Sequence, residues 1–235
     1  MGVTGPSERQ EQAVKLRSKA DGFEFEAYHA QPKDARRGGL VLIQEIFGVT
    51  PGIKRLADGF AESGYEVSAP HLFDRCEPGF SVERNPETMA KGFGYVKEVG
   101  FDRALGDVQA CIEALKPPVF MTGFCYGGTL TWLASCRLDG LTAAAAYYGG
   151  SIADFAEETP RCPIILHFGK KDTHITAERR DVIAARHPDI PIYLYDADHG
   201  FYSDDRPDYQ VEPAALSKLR TLQLFHQAAG GKIEA

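Results

Sequence analysis

Val119-Phe-Met-Thr-Gly-Phe-Cys-Tyr-Gly-Gly128 is the stretch whose reading decides the fold. It opens as a short apolar run suited to a strand buried on both faces. It then passes through Gly-x-Cys-x-Gly and enters a helical pattern that begins near Gly127. A strand turning sharply into a helix lifts one side chain, here Cys125, above the sheet edge. This is the nucleophile-elbow arrangement, with sulfur in the place of a serine oxygen. Gly123 and Gly127 keep side chains out of the crowded turn, and Gly128 lets the helix lie close to the sheet. The unpaired N–H groups and positive dipole end of a starting helix favour negative charge, on the sulfur or on an oxyanion beside it. Free cysteines are more often small buried hydrophobes, and Cys76, Cys111, Cys136 and Cys162 are read that way.

Outward from this turn, short β-rich runs alternate with helical stretches, the signature of a mostly parallel sheet covered by helices. Strands are predicted at Phe23–Ala30, Gly39–Gln44, Tyr65–Ala69, Val119–Gly123, Ala143–Tyr148, Pro163–Phe168 and Pro191–Tyr195. Helices are predicted at Gly52–Ser63, Pro86–Leu115 with a break near Gly92–Gly94, Gly127–Cys136, Thr176–Ala185 and Pro213–Phe225. In the last helix Leu216, Leu219, Leu222 and Phe225 recur at three-residue spacing and are read as a core stripe. The expectation is a single α/β domain over 1–235, with seven or eight strands, helices on both faces, and 1–20 as an extension, irregular or an edge element. Residues 71–95 are the least regular part and directly follow a strand, so they are expected to wall a pocket at the carboxyl edge of the sheet.

The bulk properties narrow the function classes. The chain of 235 residues is 43% hydrophobic and 25% charged, as globular proteins are. With 33 acidic and 26 basic residues the net charge is -7, which offers no basic footprint for nucleic acid or an anionic membrane. Five cysteines without CxxC pairing argue against a disulfide framework and a zinc ribbon. The N-terminus lacks the apolar core of a signal peptide and no apolar run is long enough to span a bilayer, so a cytoplasmic protein is expected.

A thiol nucleophile needs a base, and the base needs a carboxylate to orient it; at such elbows they follow in the order nucleophile, acid, histidine. The predicted strand Pro163–Phe168 runs into Gly169-Lys-Lys-Asp172, and the next, Pro191–Tyr195, runs into Asp196-Ala-Asp-His199-Gly-Phe201. Thiol, carboxylate and imidazole thus arrive at one rim. Asp196 and Asp198 are rival acids, but they share the short loop of His199 and would have to bend back under strain, which favours Asp172. His167 reads as a core histidine inside a strand, and His174 sits only two residues from Asp172. The histidines show no metal-ligand spacing.

Together Gln44-Glu-Ile-Phe-Gly48, Gly123-Phe-Cys-Tyr-Gly-Gly128, Gly169-Lys-Lys-Asp172, His199-Gly-Phe201 and Arg220-Thr-Leu222 make the chain resemble the dienelactone hydrolase (carboxymethylenebutenolidase) family of the α/β-hydrolases over about residues 21–228. The resemblance implies a triad at Cys125, Asp172 and His199 and an oxyanion hole at the backbone N–H groups of Ile46 and Tyr126. Glu45 is implied as the carboxylate that lies by the thiol in the resting enzyme and swings away when substrate binds. The archetypal enzyme grips a substrate carboxylate with two arginines, and Met89 and Ser203 stand near those positions. Arg75, Arg84 and Arg206 are the nearby substitutes, and Phe73, Phe80, Phe93, Tyr95, Tyr126, Phe201 and Tyr202 suggest an aromatic pocket. Arg75, Phe93, Phe201 and Arg206 are taken as substrate-pocket residues.

These readings lead to hydrolysis of an ester or enol-lactone through an acyl-cysteine, with no cofactor or metal. The partner expected is a small-molecule substrate, in a monomer or small homo-oligomer. The alternatives are a broader carboxylesterase or thioesterase with the same triad, and a non-hydrolytic thiol protein serving redox sensing or ligand binding.

Overall fold

The structure is a computed structural model in which residues 12–231 are described. The first part of the expected extension, 1–11, lies outside the described residues, and the rest supplies an edge strand. That strand, β1 (Gln12–Arg17), pairs antiparallel with β2 (Glu24–Ala30). The chain continues through β3 (Gly38–Ile43), α1 (Pro51–Glu62), β4 (Tyr65–Pro70), α2 (Pro86–Ala114), β5 (Val119–Phe124), α3 (Tyr126–Arg137) and β6 (Ala143–Tyr147). It ends with β7 (Ile164–Gly169), α4 (Ala177–Arg186), β8 (Ile192–Tyr195) and α5 (Val211–Ala228).

One eight-stranded sheet runs in the order β1-β2-β4-β3-β5-β6-β7-β8, parallel from β4 to β8 and antiparallel only at β1 and β2. Every residue of β3, β5, β6 and β7 is buried, as strands between two helix layers must be. Helices α2 and α3 pack together on one face. On the other, Lys218 of α5 reaches the Gly59 carbonyl and lies over the Phe60 ring of α1. The chain leaves β3 first toward β4 and later returns to β3's other side with β5. The strand order therefore reverses beside β3 and β5, and a crevice opens outside their carboxyl ends.

Local chemistry fixes the helix starts. Thr50 caps α1 by accepting from the Ile53 N–H at 3.3 Å, and Pro51 takes the first turn, where no N–H is needed. Asn85 and Thr88 form a reciprocal capping box at the start of α2, again with Pro at the first position.

Two helix expectations are corrected. The break in α2 falls at Gly100 (φ 70°), not near Gly92–Gly94. Gly92 is small for another reason: a Cβ there would collide with the Ile46 carbonyl, so α2 presses on the loop that follows β3. In α5 the buried face is Ala214, Ser217, Thr221 and Phe225, while Leu219 is 52% exposed. Three-residue steps of about 100° per residue fall 60° short of a turn each time, so the leucine stripe winds off the core, whereas 3-4-4 spacing stays on it. Phe225 anchors that face by stacking on Phe120 at 4.6 Å.

Arg75 is not in the pocket. It makes a two-pronged pair with Asp107 of α2 (2.5 and 2.9 Å), bonds Asp21 in the β1–β2 turn at 2.8 Å and covers the Phe23 ring. A buried carboxylate on α2 needed a partner, and the planar fork of arginine fits it. The pair clips the segment after β4 to α2 and to the β1–β2 hairpin. Arg75→Ala is therefore expected to lower unfolding free energy by about 3–5 kcal/mol in urea titration, because Asp107 stays buried without a partner. The double variant Arg75→Met with Asp107→Leu should lose distinctly less. A loss below about 1 kcal/mol in the single variant would mean that the pair behaves as a solvated one.

Candidate active site

Cys125 sits between β5 and α3 with φ 55° and ψ −112°, a backbone conformation that non-glycine residues rarely adopt. Its N–H donates to the Tyr147 carbonyl at 3.1 Å, and its carbonyl accepts from Thr129 N–H at 3.2 Å. Tight packing enforces the turn. A Cβ on Gly127 would lie 2.6 Å from the Ile43 carbonyl and 2.7 Å from that of Gln44, and one on Gly128 would collide with the Tyr147 carbonyl. The end of β3, which leads into Glu45 and Ile46, is thus pressed against the start of α3, where the Tyr126 amide has no partner within the helix. The half-buried thiol stands above this junction.

Asp172 follows β7 and its side chain is fully buried. One oxygen accepts from the backbone N–H groups of His174 (2.8 Å) and Ile175 (3.1 Å), and the other meets His199 Nδ1 at 2.7 Å. Burial alone would raise its pKa, but the His199 contact and the two backbone donors together hold it below the ordinary range. His199 follows β8. With Nδ1 on Asp172, its other nitrogen is left free for a second partner, and the Cys125 sulfur lies near enough to act on the ring's charge. Burial pulls the imidazole pKa down, but the Cys125 sulfur and Asp172 overcome it, lifting it to about 10.

The rival groups lie elsewhere. Asp196 pairs with Lys171 at 3.0 Å, and Asp198 accepts the backbone N–H of His199 itself at 2.7 Å. His167 is fully buried between Tyr195 and Thr221, and burial drives its pKa down to about 3. The exposed His174 ring touches His199 edge-on at 5.5 Å.

Glu45, expected beside the thiol, bonds Arg206 Nη1 at 2.8 Å. A guanidinium offers a charge-assisted hydrogen bond in this buried setting, and a thiol offers only a weak one. Arg206 also approaches Asp208 at 3.5 Å. Beyond this pair opens a cavity of about 810 Å³, walled by Glu45, Phe47 and Arg55 on one side and by Ser81–Pro86, Met89 and Asp205–Pro207 on the others. Residues 81–86 and Met89 of the segment 71–95 thus do form pocket wall.

The aromatic lining is corrected. Phe93 points outward from α2 at 57% exposure. Phe201 is wholly buried against Tyr148 and Tyr195, beneath the site rather than in the cavity. Phe73, Phe80 and Tyr95 pack on one another, and Tyr126 stacks on Phe73. Aromatic side chains next to a crevice had a core to fill first. Arg84 lines the cavity but pairs with Asp208 at 3.1 Å.

Tyr148 escaped the sequence reading. It follows β6 with φ 36°, is fully buried, and lays its ring on His199 with centroids 4.9 Å apart. The available signal was its place at the end of a strand next to the elbow strand. Among the described residues no three His, Cys, Asp or Glu side chains converge as metal ligands, and no helix is long and apolar enough to cross a membrane.

Comparison with known proteins places this geometry. The sequence matches the Dienelactone hydrolase family over residues 25–229. A relative in Synechocystis sp. named "Putative carboxymethylenebutenolidase" is 31% identical over 208 residues, covering 79% of this chain and 84% of its own. The "Carboxymethylenebutenolidase" of a Pseudomonas species is 27% identical over 217 residues, covering 87% and 90%. The crystal structure of "Putative Dienelactone Hydrolase" from Klebsiella pneumoniae superposes with a TM-score of 0.79 at 28% identity, over 93% of this chain and all of that one. With an α/β-hydrolase sheet, an elbow cysteine and a family match across nearly its whole length, the chain belongs to the dienelactone hydrolase family.

Proposed function

We propose that the protein hydrolyses a carboxylic ester or enol-lactone by two-step acyl transfer, with Cys125 as nucleophile, His199 as base and acid, and Asp172 as the group that orients His199. The observation that carries this is the 2.7 Å contact of Asp172 with His199 Nδ1, together with a Cys125 sulfur near enough to the ring to raise its pKa. In acylation the Cys125 thiolate adds to the carbonyl carbon, and the π pair moves to oxygen. The oxyanion accepts hydrogen bonds from the Ile46 and Tyr126 amides. Collapse breaks the carbon–oxygen bond to the leaving group, and the alkoxide takes the proton of the His199 imidazolium. In deacylation the now neutral His199 accepts a proton from water as the oxygen attacks the thioester. Collapse then expels the Cys125 thiolate and restores the ion pair. Esters and enol-lactones fit this scheme better than amides, whose leaving group is far more basic. A small-molecule substrate is consistent with the family, and the 810 Å³ cavity opens beside Glu45, the residue before Ile46.

Cys125→Ala should lower turnover of an aryl ester or enol-lactone by about 10³-fold or more while leaving the circular dichroism spectrum unchanged. Mass spectrometry of the quenched wild-type enzyme should show the acyl group on the Cys125 peptide. Wild-type activity in the variant would overturn the assignment. Oxidation of Cys125 without hydrolysis of lactones, aryl esters or acyl-thioesters would favour a redox thiol.

The His199 titration gives a second test. Its pKa lies above the ordinary 6.5, at about 10, so the folded state favours the imidazolium. The stability this contributes is fully present below pH 6.5 and is lost as pH rises toward 10. His199 ring resonances should therefore titrate far above neutrality. In Cys125→Ala they should move down, because the sulfur is the largest influence raising the pKa. An unmoved His199 titration would separate ring from thiol and sink the proposed pair.

A further inference from the structure

Tyr148 is fully buried and lies against the reacting imidazole, its ring centroid 4.9 Å from that of His199 at a tilt of 56°. Its backbone is strained to put it there. With φ 36°, Tyr148 adopts the left-handed conformation that an L-residue takes only where its surroundings require it. Its amide is tied to the His167 carbonyl at 2.8 Å, and its ring is braced by Phe201 at 5.5 Å and Phe124 at 6.2 Å. Strain of this kind gathers where a side chain must be aimed, and the group Tyr148 is aimed at is the base.

His199 needs more than Asp172 supplies. The Asp172 contact at 2.7 Å fixes Nδ1 but leaves the ring free to turn about that bond. Contacts with Tyr148 and, edge-on at 5.5 Å, with the exposed His174 ring restrict that turning. The charge has a similar gap. Cys125 and Asp172 raise the imidazole pKa against the pull of burial, and Cys125 is the larger of the two supports. When the thiolate adds to a carbonyl, its charge passes to the carbonyl oxygen, while the imidazolium has still to protonate the leaving group. An aromatic ring does not change during the reaction. A cation within about 6 Å of a ring centroid is attracted by the ring's quadrupole, most strongly where water is excluded. Burial keeps Tyr148 itself un-ionised, so the ring acts as a neutral one. The other charges at hand are Asp198, whose carboxylate accepts the His199 amide at 2.7 Å, and the Glu45–Arg206 pair, whose two charges cancel.

We propose that Tyr148 is a positioning residue for the hydrolytic reaction, whose ring steadies the His199 imidazolium by cation–π attraction and keeps it aligned after the thiolate charge has passed to the substrate. This deepens the hydrolase reading and rests on it. The imidazolium stands without its thiolate in the transition state and not in the substrate complex, so the effect belongs to kcat and not to KM.

Tyr148→Leu removes the ring and keeps an apolar side chain. It should lower the His199 pKa, read from the ring resonances, by roughly one, and kcat on an aryl ester by roughly tenfold, with KM changed by less than about twofold. Tyr148→Phe should restore most of both losses. Replacing Tyr148 by phenylalanine, then by difluoro- and pentafluorophenylalanine, keeps the shape while fluorine draws electron density from the ring face. Along this series the His199 pKa and kcat should fall stepwise, and the series decides the matter if the leucine variant does not fold. The pKa shift should persist in a Cys125→Ala background, where the sulfur no longer acts on the ring. A merely structural role would lower the urea midpoint and leave the His199 titration where it was. A His199 pKa or a kcat that stays level across the fluorinated series, or a loss in Tyr148→Leu that Tyr148→Phe does not recover, would overturn the role of Tyr148 and leave the triad standing. Wild-type turnover in Cys125→Ala would overturn the hydrolase reading beneath it.

Discussion

Cys125 is held at φ 55° and ψ −112°, at a cost on the order of 1–3 kcal/mol that only the surrounding structure can offset. What offsets it is the close approach of three backbones. Gly127 touches the end of β3, Gly128 touches the end of β6, and the Cys125 amide is tied to the Tyr147 carbonyl. A single added methyl at either glycine would push α3 away from a strand and release the turn. Tyr148, one residue beyond that carbonyl, is also left-handed at φ 36°, and its amide is anchored on the His167 carbonyl at 2.8 Å. Two strained residues at neighbouring strand ends thus bring the thiol near the His199 ring and set an aromatic ring 4.9 Å from it.

Around that frame the electrostatics follow from burial. A buried imidazole prefers to be neutral, and His167 obeys, with a pKa near 3 between neutral partners. His199 is nearly as enclosed, yet its pKa moves the opposite way because it faces a sulfur and a carboxylate. The same side chain type, on β7 and just after the neighbouring β8, is set by what surrounds it. Asp172 can play its part only because two backbone N–H groups share its charge, so it does not collapse onto the ring as a bare buried anion.

The parallel sheet and the places of Cys125, Asp172 and His199 were legible because each depends on local pattern: apolar runs, glycines around one residue, and short loops after strands. What depended on three-dimensional context was not. β1 alternates polar and apolar residues too weakly to distinguish it from an irregular extension, and becomes a strand by pairing with β2. Arg75 and Arg206 look equivalent in sequence, but only the coordinates give Arg75 to Asp107 and Arg206 to Glu45. The α2 break moved from Gly92 to Gly100 because Gly92 is required for contact with Ile46, which a propensity argument cannot see. Tyr148 carries no motif at all; its backbone strain and its contact with His199 exist only in the fold.

The division of labour between strands and loops explains why family membership fixes chemistry more tightly than substrate. Thiol and carboxylate follow the fully buried strands β5 and β7, and the imidazole follows the partly exposed edge strand β8, with parallel register fixing all three strands. The cavity rim at 203–210 is held differently, by Arg55 on Asp204 at 2.6 Å and Arg84 on Asp208 at 3.1 Å. Exposed pairs of this kind contribute little each. The buried Arg206–Glu45 contact therefore dominates the docking of that loop on the end of β3. An arginine engaged in this way is a structural strut whose charge is already neutralised. With Met89 and Ser203 where the resemblance leads one to look for arginines, the cavity wall carries Glu45, Glu83 and Asp205 against Arg55, Arg84 and Arg206 and so no net positive charge.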